Sequence, residues 1–226
     1  MQLTLLIPEL IWPEPEDRAT LDALACPALH TLLARSQRTQ RPAQSLEATL
    51  SDFFGHPAGA PYAAFRLLGE TANAPDAGDA CWINADPVHL RFHQERLILA
   101  HSGRFALEYA EAQALADELN RHLADTGHFH VAAAGRWYLQ LADRQLAGDF
   151  DAPPLSAVSG RSIERLLPEA GKAKTLRKLQ NEIQMLLHAH PLNQQRENAG
   201  QMTINSLWLW GAGSLPEHRA STCDGV

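Results

Sequence analysis

Residues 88–100 read VHLRFHQERLILA, and their pattern decides how the rest of the chain is interpreted. In VHLRF apolar and polar side chains alternate, which is the period of two expected of a half-buried strand. RLILA follows after a short polar interval and predicts the second strand of a hairpin. Just before this stretch, Asp86 and Pro87 are expected to form a turn. The stretch therefore predicts an antiparallel pair of strands.

The segments that follow extend this hairpin into a larger unit. Residues 108–125, EYAEAQALADELNRHLAD, form the clearest amphipathic helix, because apolar residues such as Leu115 and Leu119 share one face. FHVAA and RWYLQL then flank a turn at residues 134–135 and predict a second hairpin. Residues 80–147 are thus expected to run β-β-α-β-β, an α+β unit with an antiparallel sheet.

The flanking sequences have a different character. LTLLI near the start is a short apolar run of β type, and residues 45–55, SLEATLSDFFG, predict a helix with Ser45 as its N-cap. Residues 56–79 are rich in Ala, Gly and Pro and predict a linker or a change of substructure. Residues 175–189 predict a long helix that Pro191 ends, and the apolar run INSLWLW follows it.

The composition limits the classes of function. The chain has 226 residues, of which 45% are hydrophobic and 20% charged, as in ordinary globular proteins. No apolar run approaches the ~20 residues needed to cross a bilayer, and MQLTLLIPEL lacks the features of a signal peptide. We therefore expect a cytoplasmic protein without a membrane partner. A net charge of −7 argues against a nucleic-acid partner.

The stretch HAHPLNQQRENAG, residues 188–200, places amide and charged groups beside the apolar run INSLWLW. Such groups are costly to desolvate unless they pair with each other or with a ligand. A site for a small phosphorylated or carboxylate ligand would use the bidentate guanidinium and its neighbours: Arg196, Asn193, His188 and Asn205. The alternative, which we favour, is a buried scaffold in which Arg196 pairs with Glu182 or Glu197.

Histidines and a serine supply further candidates. His188 and His190 stand two residues apart, whereas metal-binding histidines on a helix prefer a spacing of four. They could hold a zinc ion together with Glu197, but a hydrogen-bonded structural role fits the spacing better. Ser45 would be a nucleophile only beside a base or a metal, and N-capping explains it without either.

Several phrases, taken in order, resemble a known family. ADPVHL, RWYL, NEIQMLL, HPLNQQRENAG and NSLWLWGAG resemble the RpfE-type regulatory protein family, which is related to the archaeal-type cofactor-independent phosphoglycerate mutases of the alkaline-phosphatase superfamily. The resemblance implies an α/β protein: an incomplete alkaline-phosphatase-like core with an inserted α+β domain that contains an antiparallel sheet. The core portion would be residues 1–79 and 151–226, and the inserted domain residues 80–150.

The enzymes that this family resembles hold two metal ions and a nucleophilic serine in the core, and this sequence departs from their pattern. Their first metal ligand is an Asp of an Asp-Gly motif after the first strand, where this chain has Pro-Glu-Leu at residues 8–10. Ser45 lies near the place of the nucleophile without the usual flanking residues. Their fold would continue beyond Val226, so we expect much of the two-metal site to have no counterpart here.

These observations leave different classes of function open. We expect a cytoplasmic regulatory or binding protein that lacks the two-metal site and needs no cofactor. The alternative is a metal-dependent phosphoglycerate mutase or phosphatase that uses Mn²⁺ or Zn²⁺. In a third hypothesis the chain is an interaction module, and a homodimer covers the apolar surface that an incomplete core exposes.

Overall fold

The computed structural model describes residues 5–7, 25–37, 39, 42, 44–56, 59–70, 75–93, 96–150, 152–159, 163 and 174–216. The chain divides into two compact units, Met1–Leu46 and Glu47–Val226. Residues 5–7, the described part of the predicted strand LTLLI, are irregular and exposed. The Pro-Glu-Leu segment at residues 8–10 lies outside the described residues.

The first unit contains helix α1, Pro27–Arg35. Pro27 lies in the first turn, where the N–H that proline lacks would have no partner within the helix. None of the residues of α1 is buried, and Leu32 is 67% exposed. Leu29 is partly buried, and the other leucines of this helix, Leu32 and Leu33, are exposed.

Further helices follow in the described residues. They are α2 Leu46–Phe53, α3 Tyr62–Leu68, α4 Tyr109–His122, α5 Leu155–Val158, α6 Lys174–Ala189 and α7 Pro191–Asn198. α2 begins directly after Ser45, and Gly55 beyond its end has a φ of 75°, the left-handed conformation that favours glycine. The helix predicted over residues 45–55 is therefore confirmed.

The second unit is built on one five-stranded antiparallel sheet. Its strands are β1 Trp82–His93, β2 Arg96–His101, β3 Gly127–Ala133, β4 Arg136–Leu141 and β5 Ser206–Gly213. The strand order is β2-β1-β4-β3, and β5 pairs with β1. Helix α4 connects the β1–β2 hairpin to the β3–β4 hairpin.

Strand β1 holds the sheet together because it pairs with three other strands. Its residues 82–88 pair with β5 along one edge, while on the other edge residues 82–84 pair with β4 and residues 88–93 with β2. Pro87 lies between those last two segments, where its missing N–H removes no bond to β2 or β4. The turn predicted at Asp86 and Pro87 is wrong, since both residues lie inside β1 and pair with β5.

The two faces of the sheet bury different side chains. One face packs against α4 and α6 in the largest apolar cluster, which includes Leu115, Leu119, Trp137, Ile183 and Leu187. The opposite face carries two smaller clusters, centred on the side chains Trp208, Trp210, Trp82 and Tyr138. Trp137 and Tyr138 are separated in this way because neighbouring strand residues point to opposite faces.

Most of the predicted elements are present. The β-β-α-β-β order predicted for residues 80–147 and the helix predicted over residues 175–189 are confirmed. Helices α3 and α7 are missing from the prediction, because α3 lies in the expected linker and α7 in the polar stretch. β5 joins the same sheet, so the sheet takes strands from both ranges that we assigned to separate domains. The boundaries of those domains stay a prediction.

One further observation concerns the membrane. Among the described residues, no helix combines the length and the hydropathy that crossing a bilayer requires.

Candidate functional site

Two of the predicted ligand residues, Asn193 and Asn205, use their amides on the backbone. Asn193 Nδ2 donates to the carbonyls of Leu187 and Ile204, both at 2.7 Å, and its Oδ1 accepts from the Ile204 N–H at 2.9 Å. Asn205 pairs in the same way with Leu90, at 2.7 Å to the N–H and 2.8 Å to the carbonyl. Each amide thus satisfies backbone groups that would otherwise need another partner.

Arg196 is buried and surrounded by acceptors from the protein. It is 4% exposed, and its Nη1 donates to both carboxylate oxygens of Glu111, at 2.9 and 2.8 Å. Its Nε donates to the carbonyl of Met202 at 2.9 Å and its Nη2 to that of Ala106 at 2.6 Å. Every nitrogen of this guanidinium is therefore engaged within the protein.

The expected pairing of Arg196 with Glu182 or Glu197 is wrong. Glu182 lies 3.7 Å from Lys178 Nζ on α6, and Glu197 is exposed. The pairing carboxylate is Glu111, which belongs to α4 and lies far away in sequence. A contact between distant elements leaves no trace in local spacing, so the sequence could not indicate this pair.

The remaining predicted residues lie at separate places. His188 is exposed near the end of α6, whereas His190 is the N-cap of α7 and its Nδ1 accepts from the Leu192 N–H at 3.2 Å. Ser45 directly precedes α2 and is partly buried. Within the described ranges, no three His, Cys, Asp or Glu side chains are grouped so that they could hold a metal ion. The anion site assigned to Arg196, Asn193, His188 and Asn205 stays a prediction.

A cavity of about 630 Å³ lies in the second unit, on the face of the sheet that carries Trp210. Its walls come from α2, α3, α5, β1, β2 and β5, and from Phe54, His56 and Ser159 outside these elements. The polar groups of its lining include Glu47, Ser51, Tyr62, Arg66, Asp86 and Ser156. Small-molecule sites in proteins typically measure ~300–1,000 Å³ and combine apolar walls with a few such groups, so this cavity is our candidate site.

A buried ion pair lies in the wall of this cavity. Asp86 is 1% exposed, and Arg66 Nη1 lies 2.8 Å from its Oδ1 and donates to its Oδ2 at 2.9 Å. The indole N–H of Trp210 also donates to Oδ2, at 2.9 Å. Oδ1 is close to Nη1 but outside hydrogen-bond geometry, and it accepts no bond from the described residues. Burial raises the pKa of Asp86, and the charge of Arg66 opposes that rise.

The Arg66 guanidinium is oriented from more than one side. Besides Asp86, Asn84 Oδ1 accepts from Nη1 at 3.1 Å, and the guanidinium carbon lies 5.5 Å from the centre of the Tyr138 ring. The Arg66 side chain is 25% exposed where it lines the cavity. Its Nε and Nη2 donate to none of the described residues. Arg66 is thus held in one orientation, and its Nε and Nη2 can donate to another acceptor.

The ring beneath Arg66 is itself fixed by a carboxylate. The Tyr138 hydroxyl donates to Glu70 Oε1 at 2.7 Å, and Arg136 donates to both Glu70 oxygens, at 2.6 and 2.8 Å. Hydrogen bonds from Arg136 and Tyr138 lower the pKa of Glu70, while burial raises the pKa of Tyr138. Tyr138 therefore stays neutral and presents an unchanging ring face to Arg66.

Hydroxyl groups and one more carboxylate complete the polar lining. Ser156 Oγ lies 2.9 Å from each oxygen of Glu47 and joins α5 to α2. Burial raises the pKa of Tyr62, and a hydrogen bond with Ser51 opposes that rise. The cavity thus offers hydroxyl groups that can donate or accept, beside a Glu47 carboxylate that already has a partner.

The sequence interpretation missed both members of the ion pair. Arg66 lies in the Ala-, Gly- and Pro-rich range that predicted a linker, and Asp86 was expected in a turn. One signal for Asp86 is present: a single carboxylate stands inside an apolar strand run, CWINADPVHL. A buried carboxylate needs a cationic or hydrogen-bonding partner, but the sequence does not say that Arg66 supplies it.

Known proteins share this fold and part of this sequence. No family model matches the chain. It is 25% identical over 218 residues to the 2,3-bisphosphoglycerate-independent phosphoglycerate mutase of Methanosarcina mazei, which covers 90% of this chain and 52% of that protein. A probable enzyme of the same name from Geobacter sulfurreducens is 40% identical over 63 residues, or 28% of this chain and 16% of that protein.

A solved structure extends the comparison to the fold. The cofactor-independent phosphoglycerate mutase of Thermoplasma acidophilum superposes with a TM-score of 0.50 at 19% identity, over 75% of this chain and 47% of that one. The protein is therefore a mixed α/β chain with an antiparallel sheet, whose structural neighbour has an alkaline-phosphatase-like fold. Its sequence is homologous to the archaeal cofactor-independent phosphoglycerate mutases, and it spans about half the length of the curated relatives it matches.

Proposed function

We propose that this chain is a cytoplasmic, phosphoglycerate-mutase-like protein with a regulatory or binding role. In this role it takes up a small molecule in the cavity beside Arg66 and transfers no phosphoryl group. The similarity to the archaeal mutases supports the relationship. The observation that carries the binding role is the Arg66–Asp86 ion pair in the wall of a cavity of about 630 Å³.

The arrangement of the cavity supports a binding role. Arg66 is held by Asp86, Asn84 and the Tyr138 ring, so a ligand would not have to order a mobile side chain. Ordering one long side chain costs about 0.5–1.5 kcal/mol of binding free energy. A cavity whose cation is already fixed therefore binds a small molecule more tightly than one whose cation is free.

The proposed loss of phosphoryl transfer rests on the sequence. The Asp-Gly motif that supplies the first metal ligand in the enzymes is replaced by Pro-Glu-Leu at residues 8–10. Ser45, near the place of the nucleophile, lacks the usual flanking residues. Metal-assisted phosphoryl transfer depends on side chains that clamp paired ions, and the loss of one such ligand would weaken that clamp.

The catalytic part of the proposal is tested by assaying the purified chain with 3-phosphoglycerate. We expect no formation of 2-phosphoglycerate with Mn²⁺, with Zn²⁺ or without added metal. The matched control is Ser45→Ala, which should give the same background. Metal-dependent turnover that Ser45→Ala abolishes would show that the chain is a working phosphotransferase.

The binding part is tested by closing the cavity. Ser156 is exposed at the cavity, so Ser156→Phe should fill its mouth without changing the buried core. Any compound that raises the melting temperature of the unmodified chain by binding there should raise that of Ser156→Phe less. Gln113→Phe on α4 serves as the control and should leave the shift unchanged. Equal shifts in all three proteins would place binding outside the cavity.

The alternative is a metal-dependent phosphoglycerate mutase or phosphatase that uses Mn²⁺ or Zn²⁺. It is favoured by the names of the relatives, which are phosphoglycerate mutases. Under this alternative the 3-phosphoglycerate assay gives turnover, and the cavity beside Arg66 accommodates part of a substrate.

A further inference from the structure

We propose that the cavity is a site for a small organic acid with one negative charge and a ring-containing apolar body, whose carboxylate binds the Nε and Nη2 donors of Arg66. This inference rests on the proposed binding role and assigns its ligand class. It follows from the orientation of Arg66, from the charges of the cavity and from the character of its walls.

The orientation of Arg66 determines which of its donors a ligand can use. Nη1 is occupied by Asp86 and Asn84, at 2.9 and 3.1 Å. The described residues take no hydrogen bond from Nε or Nη2. These two nitrogens form one edge of the planar guanidinium, and a carboxylate accepts two parallel hydrogen bonds from such an edge. The described residues therefore use Nη1 of Arg66 and leave the edge formed by Nε and Nη2 for a ligand.

The surrounding charges limit how many negative charges an acid in this cavity can carry. Asp86 is 1% exposed and contacts Arg66 at Nη1, so it fixes the guanidinium and leaves Nε and Nη2 to a ligand. Glu47 also lines the cavity, and its carboxylate is bonded by Ser156. Asp86 already balances the charge of Arg66, so a ligand with several negative charges would be repelled by Glu47, whereas a single carboxylate is held by the two hydrogen bonds from Nε and Nη2.

The apolar walls of the cavity indicate what kind of body the ligand has. Aromatic rings dominate the apolar lining and come from Phe54, Tyr62, Phe65 and Trp210. Tyr62 and Trp210 already lie 6.1 Å apart between ring centres, a distance typical of aromatic pairs. A ligand ring can join this arrangement in an offset or edge-to-face geometry, so we expect an aromatic acid to bind better than an aliphatic one of similar size.

The ligand class is tested by measuring how the full chain binds ring compounds that have a similar shape and different charges. Isothermal titration or ligand-detected NMR compares phenylacetate, phenylacetamide and phenethylamine, with 3-phosphoglycerate as the multiply charged probe. We expect phenylacetate to bind at least about tenfold more tightly than each of the others, because hydrogen bonds to a charged partner are the strongest available here. This panel needs no variant and stays informative even if a substitution prevents folding.

The assignment to Arg66 is tested by substitution. Arg66→Gln should weaken phenylacetate binding at least about tenfold and leave phenylacetamide binding within about twofold. Arg121→Gln is the matched control, because Arg121 is 68% exposed on α4 and does not line the cavity. It should change neither affinity.

The outcomes separate this inference from the proposed function. If phenethylamine, phenylacetamide or 3-phosphoglycerate binds as tightly as phenylacetate, the acid assignment is overturned and the binding role stands. If phenylacetate binds equally to Arg66→Gln, Arg66 does not recognise the acid. If no probe binds at millimolar concentration, the acid assignment is overturned, and the binding role is decided separately by the comparison with Ser156→Phe. Mutase turnover in the separate assay overturns only the non-catalytic role.

Discussion

Asparagine side chains replace backbone partners at several points in the described part of this chain. Asn120 Nδ2 donates to the Phe129 carbonyl at 2.9 Å, and its Oδ1 accepts from the Phe129 N–H at 2.7 Å. Asn193 and Asn205 make the same double contact with other residues. Among the described strands β3 pairs with β4 alone, so Asn120 also blocks part of the outer edge of the sheet.

The Arg196–Glu111 ion pair is expected to stabilise the fold. Arg196→Met should lower the free energy of unfolding by about 3 kcal/mol, because it leaves Glu111 without its charged partner and two carbonyls without their donor. Lys178→Met is the control, since Lys178 is 78% exposed and lies 3.7 Å from Glu182. It should change stability by less than about 0.5 kcal/mol. Urea denaturation measures both, and equal effects would contradict a structural role for the pair.

The sequence predicted residue types at this scale better than it predicted their partners. It singled out Arg196 and Asn193 as residues that need partners, and both are buried and hydrogen-bonded. It could not supply Glu111, because the sequence separation of 85 residues leaves no periodic signal. Asp86 and Arg66 were missed for a similar reason, since their contact depends on how α3 packs against β1.

At the scale of elements, the spacing of apolar residues predicted the helices that pack one face against the sheet. α4 and α6 present apolar stripes to the sheet, and both were predicted within a few residues. α7 was missed because its buried residues, Asn193 and Arg196, are polar, so the helix carries no apolar stripe. α3 was missed because the surrounding Ala, Gly and Pro residues resemble a linker.

Gly211 and Gly200 both have positive φ angles but differ in what surrounds them, so substitutions there should differ in their cost to stability. Gly211 in β5 has a φ of 67°, and a Cβ there would lie 2.9 Å from Tyr62 Cβ and 3.1 Å from Asn84 Nδ2. Gly200 after α7 has a φ of 69°, but a Cβ there would meet nothing within 4 Å. Gly200→Ala should therefore cost only the left-handed backbone conformation, about 1–2 kcal/mol.

Gly211→Ala should cost more than Gly200→Ala, by about 1–3 kcal/mol, because Tyr62 of α3 and the side chain of Asn84 must also move away from β5. Chemical denaturation of the two variants isolates the steric part, since their backbone conformations match. The shift of Tyr62 should also disturb the cavity and weaken phenylacetate binding in Gly211→Ala alone. Equal stability of the two variants would mean that α3 is not packed against β5 as described.

At the scale of the whole molecule, the sheet crosses the domain boundaries that we predicted. β1 lies in residues 80–150, and β5 lies beyond them, yet residues 82–88 of β1 pair with β5. The largest apolar cluster likewise includes residues of α6 and β5, such as Leu176, Ile183 and Leu207. The sequence could not reveal this pairing, because an apolar run such as INSLWLW fits any sheet that buries both of its faces.

Two fragments test whether residues 80–150 form a domain of their own. Residues 80–150 alone lose β5 and α6, and with them one wall of the largest apolar cluster. We therefore expect this fragment to show no cooperative unfolding by circular dichroism, and poor amide dispersion by NMR. A chain of residues 44–216 keeps α2 and every cluster of buried residues that the structure describes, and should unfold cooperatively. If residues 80–150 fold alone with a cooperative transition, they are an independent insertion, and β5 is an addition to a sheet that is already stable without it.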